Sequence, residues 1–376
     1  MSSPRPPARR SGWVIGRVVG APIILAPSWL IAAVLLTLIF APTVRARSEN
    51  LGALVYVVAL AFVVLLFASV LVHELAHGLM ARARGQQPRE FVLTLWGGHT
   101  AFGGVTPTPA SSALIAVVGP LANLVLAAGF FAIAQGVDAT SLVGLLIWSG
   151  CLTNAFVGLF NLIPGLPLDG GFLLEAAVWA ATKNRHTGTV AAGWVGRVVA
   201  VGVFAWALLV PWSQGRPPEL YDMVWGGLIG AFLWSGASAA VRGGRTQKAV
   251  GLITAASVGR RAVGVEHTVS IAHAGALAAA AGAEEVVILS PDGRPAAYVD
   301  RAAAASVPAD VAGTTPVTAV AVPLPGGAVV DARLTGQELV GAVGRATEHS
   351  PVAAAVVDGR VVGLIRAMDV VAAIRS

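Results

Sequence analysis

Residues 73–77 read His-Glu-Leu-Ala-His, two imidazoles four positions apart with a carboxylate beside the first. On a helix, positions i and i+4 share a face, so His73 and His77 can bind one metal ion while Glu74 handles a proton. The motif closes a run without charge from Leu51 to Val72. Ionisable groups are costly in such surroundings, and there they mark a functional site by default. Zinc at a catalytic centre takes three protein ligands and keeps a fourth position for water, whose pKa it lowers. The obvious third ligand is Asp169 in "FNLIPGLPLDGG" at 160–171, after two prolines and before two glycines. The prolines end a helix and the glycines let the backbone turn, so that the carboxylate can be presented back toward the apolar interior. Asn161, earlier in the same motif, could donate to a carbonyl oxygen or orient the ligands.

These residues sit in a chain built for lipid. Of 376 residues, 56% are hydrophobic and 12% charged, with a mean hydropathy of +0.76, against about 25% charged residues in soluble domains. A span needs about 20 mainly apolar residues. Six segments qualify: Ala21–Phe40, Ala53–Leu75, Ala113–Ala134, Leu142–Leu162, Val190–Pro211 and Met223–Ala240. The fifth is interrupted by Arg197, so part of it faces protein, water or headgroups. The basic N-terminal flank resembles a signal peptide, but the uncharged stretch that follows is too long for a cleaved one, which leaves a retained first span. The formal charge of +6 comes from arginines at the ends of apolar runs, the pattern of membrane topology and not of nucleic-acid binding. Basic loops such as "ARARGQQPRE", "TKNRH" and "VRGGRTQK" put both termini in the cytoplasm after an even number of spans. A single cysteine, Cys151, excludes an intrachain disulfide.

Between the second and third spans, "FVLTLWGGHTAFGGVTPTP" is too broken for a span and too apolar for an ordinary loop. Backbone of this kind at membrane depth must be buried in protein or line a wet cavity. A re-entrant β-like hairpin is the expectation.

"HELAHG", "GPLANL" at 119–124 and "FNLIPGLPLDGG", in that order over roughly residues 10–240, resemble the site-2 protease family of intramembrane zinc metalloproteases. The resemblance implies one zinc ion held by His73, His77 and Asp169, with Glu74 as general base. Asn123 and Asn161 match family positions near the site, where they could position substrate or an oxyanion. The hairpin glycines Gly97, Gly98, Gly103 and Gly104 would lie beside a substrate held as an added strand. It also implies a polytopic protein of a bacterial inner membrane that cuts a single-pass transmembrane regulator, an anti-sigma factor for example.

The composition changes near Arg242, which divides the chain into a membrane domain, 1–244, and a tail, 245–376. The tail contains two similar units, each a helix, an apolar strand, a turn (Asp292-Gly293, Asp358-Gly359), a second strand and a closing helix. They resemble a tandem pair of CBS domains, a cytoplasmic α/β module. That resemblance implies regulation, a homodimer through the pair and an adenosine nucleotide contacted by Asp369. The nucleotide motif is otherwise departed from: Arg366 and Asp300 stand where small hydroxyl residues are usual, and Ala303 where a carboxylate is. A rival reading is a CBS-regulated cation transporter or channel that uses the His/Asp cluster as an ion site. Glu74 discriminates the two, because hydrolysis requires it and zinc binding does not.

Overall fold

The computed structural model describes residues 12–47, 51–94, 97–104 and 107–375, which fall into two compact units, residues 1–242 and 243–376. The first unit begins with a hairpin, β1 (Trp13–Val18) and β2 (Ala21–Leu25), turned at Val19 and Gly20, both with positive φ. The expected first span, Ala21–Phe40, is therefore corrected: the helix α1 occupies Ser28–Arg47. Hydropathy alone reads Ile23, Ile24 and Leu25 as lipid-facing, but they pair in parallel with Phe91, Val92 and Leu93. Such a long-range partner leaves no local signature.

α2 (Leu54–Ala83) carries the His-Glu motif near its end. β3 (Gln86–Thr94) and β4 (Gly97–Gly104) follow as an antiparallel hairpin, which joins the N-terminal strands in one sheet of order β1-β2-β3-β4. Then come α3 (Pro109–Ala134), α4 (Leu142–Asn161), the short α5 (Asp169–Thr182), α6 (Arg185–Ser213) and α7 (Leu220–Gly251). Side-chain caps open α3 and α4. Thr108 and Ser111 form a reciprocal capping box at α3, and Ser141 caps α4. Six of these helices are long and apolar enough to cross a membrane, and the protein is a multi-pass membrane protein. α5, with 14 residues, is too short to span and was not anticipated.

Small residues set the helix spacing. On α6, a Cβ at Gly193 would come within 2.7 Å of Val241 on α7, and one at Gly196 within 2.0 Å of the Leu166 carbonyl oxygen. Lipid tails are as apolar as leucine, so close backbone packing of this kind holds helices together where the hydrophobic effect cannot.

The second unit opens with the one-turn α8 (Ala255–Val258) and contains two halves in the same order. The first is β5 (Gly259–Glu266), α9 (Ile271–Ala281), β6 (Glu285–Leu289), β7 (Pro295–Val299) and α10 (Arg301–Ala305), followed by β8 (Ala321–Pro323). The second is β9 (Val329–Asp331), α11 (Gly336–Ala346), β10 (Val352–Val357), β11 (Arg360–Arg366) and α12 (Ala367–Arg375). Each half thus begins with a strand ahead of its first helix, parallel to the strand after it. The sheet order is β8-β7-β6-β5-β11-β10-β9, closed across the halves by antiparallel β5 and β11. Asp358 and Gly359 both take positive φ, as the two-residue turn requires.

One buried charge ties the halves together. Glu285 is 2% exposed, and its Oε1 accepts from Arg366 Nη2 at 3.2 Å and Arg260 Nη1 at 3.5 Å, with Arg301 Nη1 at 4.0 Å. Arg366, read from the sequence as an obstacle to a nucleotide site, is thus engaged in holding this carboxylate. Hydrogen bonds to charged groups contribute about 1.5–3 kcal/mol each, and less where the partner is solvated. We expect Glu285→Ala to destabilise residues 243–376 by about 2 kcal/mol, seen as faster amide exchange in β6 and β11 of the full-length protein while α2 to α4 are unchanged.

Candidate metal centre

α2 brings His73, Glu74 and His77 to the protein side of an apolar helix, where all three are buried. Asp169 arrives from the first position of α5, after the chain has left α4 and passed the proline-rich turn. The two glycines after it are helical, with no positive φ, and serve a purpose other than turning. A Cβ at Gly170 would lie 2.3 Å from the Leu162 carbonyl oxygen and one at Gly171 2.2 Å from the Leu166 nitrogen, so only glycine lets α5 start against the preceding turn.

The three side chains converge. His73 Nε2 is 2.8 Å from Asp169 Oδ2, His77 Nε2 is 3.3 Å from the same oxygen, and the two Nε2 atoms are 3.0 Å apart. What lies behind the rings decides which nitrogen carries the proton. His77 Nδ1 is 2.6 Å from the Ile115 carbonyl oxygen, which can only accept, so Nδ1–H donates. His73 Nδ1 is 2.6 Å from Asn123 Oδ1, while the amide nitrogen of Asn123 donates to Ser69 Oγ at 2.8 Å and Asn154 Oδ1 at 3.0 Å. A neutral ring with its proton on Nδ1 therefore turns an Nε2 lone pair toward the carboxylate oxygen. With both rings neutral, three acceptors face one another in a buried site, an arrangement a divalent cation satisfies. Two imidazoles and a carboxylate, held from behind by hydrogen bonds, suit zinc.

Asn123 needs a correction. The sequence suggested that it positions substrate or an oxyanion, but it is fully buried behind the imidazoles and spends its amide on Ser69 and Asn154. Ser69 and Asn154 were missed. Ser69 Oγ donates to Asn154 Oδ1 at 2.8 Å, and Asn154 Nδ2 to the Gly150 carbonyl oxygen at 2.8 Å, which pins the network to α4. Ser69 is one turn before His73 on α2, and Asn154 one turn before Gly158 on α4, so helical spacing from a known ligand was the available signal.

Gly119, in "GPLANL", explains how α3 reaches the site. A Cβ there would fall 2.3 Å from His77 Nε2 and 2.9 Å from His73 Cε1. Glycine is the only residue that admits both rings.

The cluster lines a cavity of about 560 Å³ together with Glu74, Thr100, Asn161, Glu175 and Arg185. Glu74 Oε2 accepts from Thr100 Oγ1 of β4 at 2.7 Å, and Gly98 lies so close to Glu74 that a Cβ would meet its Cγ at 2.5 Å. Asn161 faces the cavity and donates to the Val157 carbonyl oxygen at 3.0 Å. Gly97, Gly98, Gly103 and Gly104 all belong to β4, opposite Thr94, Leu93, Gln87 and Gln86 of β3. β4 is the last strand of its sheet, so its far side is an open edge among the described residues. Glu175 is buried and accepts from Arg185 Nε at 2.8 Å at the same cavity. Asp369 belongs to the first turn of α12, in the second unit. Asp300 caps α10 by accepting from the amides of Ala302 and Ala303.

Residues 61–144 and 129–206 match Peptidase family M50, the family of the site-2 proteases that the motifs resemble. Among curated proteins, "Putative zinc metalloprotease sll0528" of Synechocystis is 32% identical over 246 residues, 64% of this chain and 62% of that one. "Putative zinc metalloprotease Rip3" of Mycobacterium tuberculosis is 35% identical over 227 residues, 59% of this chain and 57% of that one. The chain thus spans about three fifths of the length of these relatives. A solved site-2 protease from Methanocaldococcus jannaschii superposes with a TM-score of 0.44 at 23% identity, over 61% of this chain and 94% of that one.

Groups that orient metal ligands from behind typically govern metal affinity by 10- to 100-fold. Asn123→Ala and Asn154→Ala should weaken zinc retention by roughly that factor in chelator competition with the purified protein. Gly119→Ala should leave no stoichiometric zinc by metal analysis. A Gly119→Ala protein with full zinc content would show that α3 yields easily at this point.

Proposed function

We infer that the chain is an intramembrane zinc endopeptidase that hydrolyses a peptide bond in or near a transmembrane segment of another membrane protein. The observation that carries this is the meeting of His73 Nε2, His77 Nε2 and Asp169 Oδ2 in the cavity that also holds Glu74. The names of the matched relatives support a hydrolase over the cation-transport reading.

Zinc, when bound, supplies Lewis acidity, lowering the pKa of water toward neutrality and polarising the scissile carbonyl. The remaining work belongs to the protein's own groups. Glu74 accepts the proton of the attacking water on Oε1, since Thr100 already donates to Oε2, and returns it to the leaving amine. Thr100 thereby holds the carboxylate in one orientation. The second amide hydrogen of Asn161 is left for a carbonyl oxygen, because the first is bonded to Val157. A transmembrane helix hides its peptide bonds through internal hydrogen bonds, so the substrate must unwind to be cut. The open edge of β4 offers the freed amides new partners, and Gly98 keeps that edge close to Glu74.

In the fuller reading the protein sits in a bacterial inner membrane with cytoplasmic termini, and the product is a regulator released from the membrane, an anti-sigma factor being one such substrate. The tail is a tandem CBS pair that modulates cleavage or dimerises the enzyme, with Asp369 as a nucleotide contact. The repeated strand-helix-strand-strand-helix order of residues 259–375 supports that reading.

The decisive experiment pairs metal analysis with cleavage of a transmembrane substrate in reconstituted membranes. Glu74→Gln should keep one zinc per chain and lose activity by about 100- to 10,000-fold, the usual contribution of a general base. Asp169→Ala should lose both. Undiminished cleavage by Glu74→Gln would remove the assigned base.

A further inference from the structure

Arg197 lies within α6, one of the helices able to cross a membrane. A guanidinium at such a position is expensive and calls for a partner. Its Nε donates to Ser238 Oγ of α7 at 3.1 Å, and its carbon lies 4.6 Å from the ring of Trp194 and 5.3 Å from that of Trp234. Two indoles thus flank the cation, an attraction that strengthens as water is excluded. Beyond that, the four hydrogens on its terminal nitrogens meet no acceptor and no carboxylate among the described residues. The protein leaves most of this charge unanswered.

The surroundings indicate where the answer comes from. Trp194 is 48% exposed and Trp234 47%, on helices whose outer faces meet lipid, while Ser238 is buried between them. Along α7, Ser238 is 18 residues from Leu220 and 4 from Arg242, about 27 Å and 6 Å at 1.5 Å per residue. Against a hydrocarbon core of about 30 Å, that puts Arg197 near the boundary with the headgroups at the basic end of α7. Arg242, one turn beyond, is exposed. Gly193 and Gly196 bring the backbone of α6 close against Ala237 and Val241 of α7 there.

We propose that Arg197, framed by Trp194 and Trp234, binds the phosphodiester of an anionic phospholipid, with Arg242 supplying a second positive charge. The planar fork of arginine matches two phosphate oxygens, and the indoles cover the glycerol and upper acyl region, where tryptophan is favoured. Basic pockets between helices at the headgroup level are suited to such lipids. A soluble phosphate compound shares the chemistry but gains nothing from the exposed indoles.

The test is native mass spectrometry of the detergent-solubilised full chain with phosphatidylglycerol or phosphatidylcholine added, inorganic phosphate serving as competitor. Wild type should retain phosphatidylglycerol in preference to phosphatidylcholine, and phosphate should not displace it. Arg197→Gln should reduce the bound fraction roughly five- to tenfold, as expected for loss of one basic contact at a membrane surface, with Arg197→Lys between the two. Circular dichroism and gel filtration report whether each variant is folded. Should Arg197→Gln misfold, Trp194→Leu combined with Trp234→Leu asks the same question, with the same loss expected. Equal retention of the two lipids by wild type, unchanged retention in the folded variants, or displacement by inorganic phosphate would each overturn the proposal.

Discussion

Two imidazole nitrogens and one carboxylate oxygen stand within 3.3 Å of one another, and with the ring protons on Nδ1 each offers a lone pair. In low-dielectric surroundings acceptors so placed repel, and their close approach is stable only with a cation among them or a proton on a ring. The protein biases that choice from behind. With the Ile115 carbonyl and the Asn123 amide oxygen taking the Nδ1 hydrogens, the Nε2 lone pairs remain for a metal. Much of the membrane unit can be understood as what is needed to sustain this one convergence.

Reaching it requires backbones to come unusually near polar side chains. α3 passes both rings at Gly119, β4 passes Glu74 at Gly98, and α5 begins against its own turn at Gly170 and Gly171. A further residue of the same kind is Gly78, directly after His77, where a Cβ would strike the ring of Phe91 at 2.3 Å. Phe91 is fully buried and belongs to β3, the strand that joins the two hairpins. The sheet is thereby seated on the end of α2 that bears the motif, and β4, its last strand among the described residues, is set beside Glu74. Absence of a side chain does here what a larger residue would do in a soluble core, because in lipid the close fit itself is the attraction.

Charge is treated differently in the two units. In the membrane unit the buried glutamates among the described residues are each answered by a neighbour. Glu175 has Arg185 and Glu74 has Thr100, whereas Arg197 has only Ser238 and two flanking indoles among the described residues. In residues 243–376 a single buried carboxylate, Glu285, draws arginines from β5, α10 and β11 and so links both halves of the repeat.

The residues that could hold the metal, the six apolar segments, the hairpin after the first motif and the helix-strand-turn-strand-helix order of the tail were all legible from local pattern. Helical spacing, hydropathy and Asp-Gly turns are properties of neighbours in sequence. What could not be read locally depended on partners far along the chain. The run Ala21–Leu25 looked like lipid-facing helix until its parallel pairing with Phe91–Leu93 made it a strand. Asn123 looked like a substrate contact until the packing of α3 on α2 and α4 turned it toward Ser69 and Asn154. The sequence by itself determined which atoms could bind a cation; only the tertiary structure decided which nitrogen of each ring faces it, because that choice belongs to acceptors 38 and 50 residues away.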